Sequence, residues 1–343
     1  MRLLLLGGSW FLGRTLASDA LARGWHVTAF TRGRSGGPPP GVDHVVGDRT
    51  RSANLAQLAS VGSWDATIDS SAYEPGDVTS VLDALGDRAG RYVLISTVSA
   101  YRDWPGQPVS EASPLWPSRL DARESDPEVA GLPVPFQYGT LKAGCELAAG
   151  AASGGCLILR PGVILGPGEY VGRMLTLLGR AARGGRWLVP GPAVQPIQPV
   201  DVRDVAAFAL DQVAVGRSGA YNLSAPDGYA TYGDLISACI EATRAATEPV
   251  WVDPQWLAAQ EVQQWTEVPL WRTAAGTWAV DSRKAQAAGL TCRTLRQTVA
   301  DSWAALRAGE PVPHPRQAEH GMDPDKEASI LAAWDQRAAS RSW

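Results

Sequence analysis

The chain has 343 residues, 45% of them hydrophobic and 19% charged, with a net charge of −4. That is enough apolar material for one large packed domain plus a smaller lobe, and too much for a disordered chain. The acidic balance gives no electrostatic footprint for nucleic acid, no apolar run reaches membrane-spanning length, and the four N-terminal leucines fall short of a signal-peptide core. The expectation is a cytoplasmic protein that meets neither nucleic acid nor membrane.

Leu3–Leu6 is a continuous apolar run, as expected for a parallel strand buried on both faces. Leu12, Leu16, Ala20 and Leu21 then recur at helical spacing, with Gly24 at the C-cap position. Trp25–Phe30 reads as a second strand, 36–41 as a surface loop, and His44–Val46 as a third strand ending at Gly47-Asp48. Leu55–Leu58 suggests a short helix, Ala66–Asp69 a strand, and Val78–Leu85 a helix stopped by Gly86. Tyr92–Ile95 is another buried strand, followed by Ser96-Thr97. A helix carrying Tyr138 runs to about Ala152, and Leu157–Leu159 is a strand closed by Arg160-Pro161-Gly162.

This alternation predicts an α/β fold, a Rossmann-type doubly wound parallel sheet with a smaller C-terminal substrate lobe. Residues 1–165 form the expected dinucleotide-binding domain, with a return segment near 195–224. Residues 166–194 and 225–343 form the substrate-binding lobe and tail, in which 306–325 reads as a linker and Glu327–Arg337 as a closing helix. Of 14 Trp, Trp251, Trp256, Trp265, Trp271 and Trp278 cluster there, as core packing or as an aromatic-lined pocket. Cys145, Cys156, Cys239 and Cys292 are widely spaced, a pattern of reduced thiols. With four His and no HExxH, no metal centre is expected.

Two segments carry chemistry. Gly7-Gly8-Ser9-Trp10-Phe11-Leu12-Gly13 joins the first strand to the first helix. Glycines there permit close approach to a pyrophosphate, and the helix start offers N–H groups and a positive dipole end. Tyr138 and Lys142 lie four apart on one helical face, where a cation makes the phenol a usable proton donor and acceptor. At the end of the second strand, Phe30-Thr31-Arg32-Gly33-Arg34 holds no acid for ribose hydroxyls. Arg32 and Arg34 suit a phosphate, so NADP is the preferred cofactor and NAD the alternative, unless the two are a solvated basic loop. Asp48 is placed to accept from the adenine amino group.

These segments together resemble the extended or atypical short-chain dehydrogenase/reductases, the NAD-dependent epimerase/dehydratase superfamily. The resemblance also covers Ser96-Thr97 to Tyr101, Leu159 to Gly162, Gly166-Pro167-Gly168, Val200 to Ala206 and Ala287 to Leu290. It implies Tyr138 as acid/base, Lys142 tuning it and holding the nicotinamide ribose, and Thr97 orienting the substrate oxygen, with Ser96 and Ser99 as neighbours able to take that role. It places Ser70, Ser71 and Pro161 with the cofactor, and it implies a homodimer. Ser99, Tyr101, Tyr73, Arg173 and Gln198 are substrate candidates by position. Two departures stand out. Trp10 occupies a position that is usually Gly. Thr97-Val98-Ser99 replaces the Thr-Asp-Glu of sugar dehydratases, which argues against β-elimination.

The leading reading is an NADP-dependent oxidoreductase for a small carbonyl or alcohol. The alternative is a nucleotide-sugar epimerase with tightly bound NAD(P), in which Arg173, Arg180, Arg183 and Arg186 meet a substrate diphosphate rather than forming a solvated helix face. A third reading is a non-catalytic dinucleotide-sensing or RNA-binding protein.

Overall fold

The computed structural model describes residues 1–34, 36–309 and 313–340. They form two compact units. The first comprises Met1–Ile164, Gln198–Pro226 and Ala275–Cys292, and the second Leu165–Ile197, Asp227–Ala274 and the chain from Arg293.

The first unit is built on seven strands. β1 (Arg2–Leu6), β2 (His26–Thr31), β3 (Asp43–Val46), β4 (Ala66–Asp69), β5 (Arg91–Ile95) and β6 (Cys156–Pro161) are joined by the strand Gly219–Leu223. The order across the sheet is Gly219–Leu223, β6, β5, β4, β1, β2, β3. Neighbours pair in parallel. Strand order reverses between β1 and β4, the switch point at which such sheets bind ligands.

The leucine run of β1 divides between two layers because successive side chains point to opposite faces. Leu3 and Leu5 pack with Leu16 of helix α1 (Phe11–Ala22) and with Val205 and Phe208 of the helix Val202–Ala214. Leu4 and Leu6 pack with Leu55 and Leu58 of α2 (Ser52–Val61) and with Val78 and Val81 of α3 (Pro75–Leu85). All four leucines are buried, each worth roughly 1.5–3 kcal/mol. Helix α3 starts three residues before its apolar periodicity does. Pro75 occupies the first turn, and Glu74 and Asp77 form a capping box that satisfies the initial N–H groups.

The second unit packs the helices Arg173–Ala182, Tyr232–Thr243 and Leu295–Arg307, with the strands Gly185–Pro190 and Thr247–Val252 paired in parallel. The expected linker 306–325 contains a 3₁₀ turn at Pro315–Glu319, and the closing helix spans Pro324–Ser340; 310–312 lie outside the described residues. Glu327 on that helix accepts from Arg180 Nε at 2.7 Å and Arg183 Nη2 at 3.4 Å, and Asp335 accepts both terminal nitrogens of Arg186. The closing helix thus engages all three arginines, which the sequence placed on a solvated helix face or against a substrate diphosphate. Trp271 is fully buried and Trp256 stacks on Trp334 at 5.0 Å, so packing accounts for both. The four thiols are free, and burial pushes Cys145, Cys156 and Cys239 up to about 12, far from a reactive thiolate. Among the described residues no helix is long and apolar enough to cross a membrane.

Candidate active site

The glycine turn follows β1 directly. Gly7 and Gly8 have φ of 110° and 112°, a region that side chains strain to reach. A Cβ on Gly7 would lie 2.5 Å from Ser70 Oγ, and one on Gly13 would lie 2.6 Å from Gly8 N. Glycine at these positions lets the turn fold against β4 and lets α1 pack on the turn. Phe11 opens α1 at φ 33°. Trp10 is the N-cap residue and contributes no capping side chain, and the first turn of α1 carries no acid.

Around the turn, Ser70 Oγ and Ser71 Oγ both donate to Leu6 O, at 3.1 and 2.9 Å. Ser71 Oγ also accepts from Arg49 Nη2 at 2.7 Å. Arg49 grips Asp69 with both terminal nitrogens, at 2.7 and 3.0 Å, and Tyr92 Oη donates to Asp69 at 2.6 Å. Burial pushes the Asp69 carboxyl up, but the Arg49 charge and these hydrogen bonds outweigh it and hold the group below its ordinary value. The same environment raises the Tyr92 phenol. Asp48 Oδ1 accepts from the Thr50 N–H and hydroxyl, which lowers its carboxyl and commits that oxygen to a local turn. Arg32 and Arg34 are exposed at the end of β2, and Thr31 Oγ1 and His44 Nε2 are 2.8 Å apart.

Tyr138 and Lys142 sit on the helix Val134–Ala149. Its Gly139 and Gly144 allow close approach: a Cβ on Gly139 would lie 2.1 Å from Ser99 O, and one on Gly144 2.5 Å from Pro75 Cγ. Lys142 is buried, and Nζ donates to Ile95 O at 2.6 Å and Ala72 O at 3.0 Å. The lysine thus ties the ends of β4 and β5 to the helix. Burial lowers its pKa, against the pull of nearby acids. Tyr138 is 38% exposed, and its ring lies 6.3 Å from that of exposed Tyr73. The sheet's carboxyl edge therefore presents the phenol outward and keeps the ammonium inside.

Thr97 is buried after β5, and its Oγ1 accepts from Ser99 N at 3.1 Å. Ser96 cannot substitute for it. Ser96 Oγ donates to Glu146 at 2.5 Å. Glu146, one turn beyond Lys142, is the residue the sequence reading missed. It extends the stripe to Tyr138, Lys142 and Glu146, and the i, i+4 spacing alone could have revealed it. Arg160 at the end of β6 donates to both Glu146 oxygens, at 2.9 and 2.6 Å, and to Tyr101 Oη at 2.8 Å. Tyr101 Oη in turn donates to Asn222 Oδ1 at 2.7 Å.

Two of the substrate candidates are buried with their polar groups partnered. Tyr101 is fully buried with its hydroxyl committed to that network. Gln198 is also buried, and its amide pairs with the backbone of Val280, accepting at 2.9 Å and donating at 3.3 Å. Pro161 is buried at the end of β6 beside Gly162, whose N–H donates to Leu223 O. Arg173 belongs to the second unit.

No family model matches the chain, and no curated protein sequence does either. Solved structures do. The chain is similar to the Bordetella bronchiseptica enzyme WbmH in complex with NAD+, at 20% identity and a TM-score of 0.66, over 90% of this chain and 99% of that one. It is similar to WbmG of the same organism in complex with NAD and UDP, at 18% identity and 0.66, over 90% and 96%. It is also similar to the UDP-glucose 4-epimerase of Thermotoga maritima with UDP-glucose, at 16% identity and 0.64, over 90% and 99%. The chain has the Rossmann-type fold that these structures share.

Proposed function

We propose that the first unit binds a nicotinamide dinucleotide over the glycine turn and that the protein is a nucleotide-sugar epimerase. The observation that carries this reading is the Tyr138–Lys142 stripe, anchored through Lys142 Nζ to the carbonyls of Ile95 at the end of β5 and of Ala72 just beyond β4. The turn suits the cofactor because Gly7 and Gly8 hold the backbone in the left-handed region and α1 opens without an acid in its first turn. Bound nicotinamide would supply the hydride chemistry. Tyr138 takes the proton of a sugar hydroxyl as it becomes a carbonyl and returns it afterwards. Two of the three Lys142 protons are held by Ala72 O and Ile95 O, and the third serves a ribose hydroxyl. The Thr97 hydroxyl accepts from Ser99 and keeps its own proton for the substrate oxygen. The epimerase reading is favoured over a free oxidoreductase because similar structures include a UDP-glucose 4-epimerase with UDP-glucose and WbmG with NAD and UDP.

An NADP-dependent oxidoreductase for a small carbonyl is the second reading, favoured by exposed Arg32 and Arg34 and an acid-free end of β2. The test is to identify the dinucleotide that purifies with the protein, then incubate UDP-sugars without added cofactor and follow the epimer by NMR. Epimer formed without added cofactor supports the first reading. NADPH oxidised in step with a carbonyl substrate, and no epimer, replaces it with the second. Calorimetry showing no dinucleotide binding sinks both, and equal affinity for NAD and NADP ends the preference for NADP.

A further inference from the structure

We propose that Ser96 is a positioning residue: its hydroxyl, held by Glu146, locks the exit of β5 so that Thr97 and Lys142 keep one geometry beside Tyr138. Its effect on turnover rests on the epimerase reading; its effect on the strand end does not. Three consecutive residues at the end of β5 have three different partners. Ile95 O accepts from Lys142 Nζ at 2.6 Å, Ser96 Oγ donates to Glu146 Oε1 at 2.5 Å, and Thr97 Oγ1 accepts from Ser99 N at 3.1 Å. Lys142 and Glu146 lie four apart on one helix, so one helical face grips two successive residues of the strand end. The same helix meets the far side of the turn, where Gly139 admits Ser99 O in space that a Cβ would fill. Thr97 is therefore bracketed between two residues that the Tyr138 helix holds.

The bracket is rigid because its anchor is. Glu146 is buried, and both of its oxygens accept from Arg160 at the end of β6, at 2.9 and 2.6 Å. Ser96 N donates to Leu159 O at 2.6 Å, so the residue beside Arg160 holds the Ser96 backbone while Arg160's partner holds its side chain. The hydroxyl is not needed to balance the carboxylate, because Arg160 already reaches both oxygens. What it adds is a short, charge-assisted bond with fixed direction. Thr97 follows in extended backbone, at φ −164° and ψ 153°, across a planar peptide. Any drift of Ser96 is thus passed to Thr97, whose hydroxyl has to meet the same substrate oxygen as the Tyr138 phenol. Reacting groups lose rate steeply when displaced by a fraction of an ångström, and such groups depend on the hydrogen bonds behind them.

The experiment pairs Ser96→Ala with Thr67→Val in the full chain. Ser96→Ala removes the hydroxyl and leaves both Arg160–Glu146 bonds in place. Thr67→Val removes another buried hydroxyl, which donates to Ala89 O at 2.7 Å, at the opposite end of β5. Amide hydrogen exchange at single residues and turnover of a UDP-sugar are read on both, well below the unfolding transition. Ser96→Ala should speed exchange of the Ser99 amide, the donor to Thr97 Oγ1, and lower kcat by about 10–10²-fold with KM unchanged. Thr67→Val should do neither. If Ser96→Ala does not fold, Ser96→Cys keeps a weak donor and carries the same test, with a smaller loss expected. Ser99 exchange at the wild-type rate, wild-type kcat, or equal changes in Thr67→Val overturns the proposal. If the wild type itself forms no epimer, the epimerase reading falls separately, and Ser99 exchange still decides whether Ser96 holds Thr97 in place.

Discussion

Arg160 in the first unit and Arg173 in the second are both sunk into protein beside a single glutamate, and they end in opposite states. Arg160 meets both oxygens of Glu146 and the hydroxyl of Tyr101. Arg173 stands 3.9 Å from a glutamate whose oxygens serve backbone N–H groups. The difference lies in what each carboxylate must satisfy first. Glu146 projects from the last turn of its helix, where the N–H groups are already paired, so its charge is available to a guanidinium. Glu169 stands at a helix start, where unpaired N–H groups claim it. A matched buried charge stiffens the frame around it, whereas an unmatched one keeps most of its desolvation cost.

If the matched network is purely a frame, chemistry and stability should separate within the first unit. Tyr138→Phe removes the proton carrier and leaves Lys142, Glu146 and Arg160 in place. Turnover should fall by about 10²–10⁴ with an unchanged thermal midpoint. Wild-type turnover would remove Tyr138 from the chemistry, and a large loss of stability would make it part of the frame. Glu146→Gln tests the frame itself, because it keeps the shape and strands Arg160 as a buried charge. Urea unfolding should report a loss of about 3–5 kcal/mol. A loss under about 1 kcal/mol would mean that Arg160 is less dependent on its partner than the geometry says.

Asp69 and Arg49 give the same comparison a pH axis. The folded Asp69 carboxyl lies below its ordinary 3.8, so below that value the unfolded chain binds protons that the folded chain refuses. Its stabilisation is complete above pH 3.8 and is lost as pH falls through the folded value. Asp69→Asn should therefore be less stable than wild type near neutral pH, with a gap that narrows in acid. A gap of constant size would show that the Asn variant loses packing rather than charge.

The fold was legible because its signals are local. A four-leucine strand, a glycine turn and an amphipathic helix lie in sequence, and Ala66–Asp69 occupies the bounds its pattern predicts. Tyr138 and Lys142 were legible through one helical turn. Their supports were harder to see, because Ser96, Arg160 and Asn222 meet Glu146 or Tyr101 only after distant strands are aligned. The burial of Tyr101 and Gln198 was not legible, because proximity to a motif says nothing of which way a side chain points. Arg49 was overlooked because its partner Asp69 lies twenty residues away and meets it only once β4 is in place.

The smallest expected effect is the one that most sharpens the comparison. Arg173→Met removes a mostly buried charge whose only carboxylate neighbour among the described residues is held by three backbone N–H groups. Replacing a poorly matched buried charge with an apolar chain of similar length should change unfolding free energy by no more than about 1 kcal/mol, in either direction. If Arg173→Met instead loses as much stability as Glu146→Gln, Arg173 is matched after all, and the contrast with Arg160 collapses.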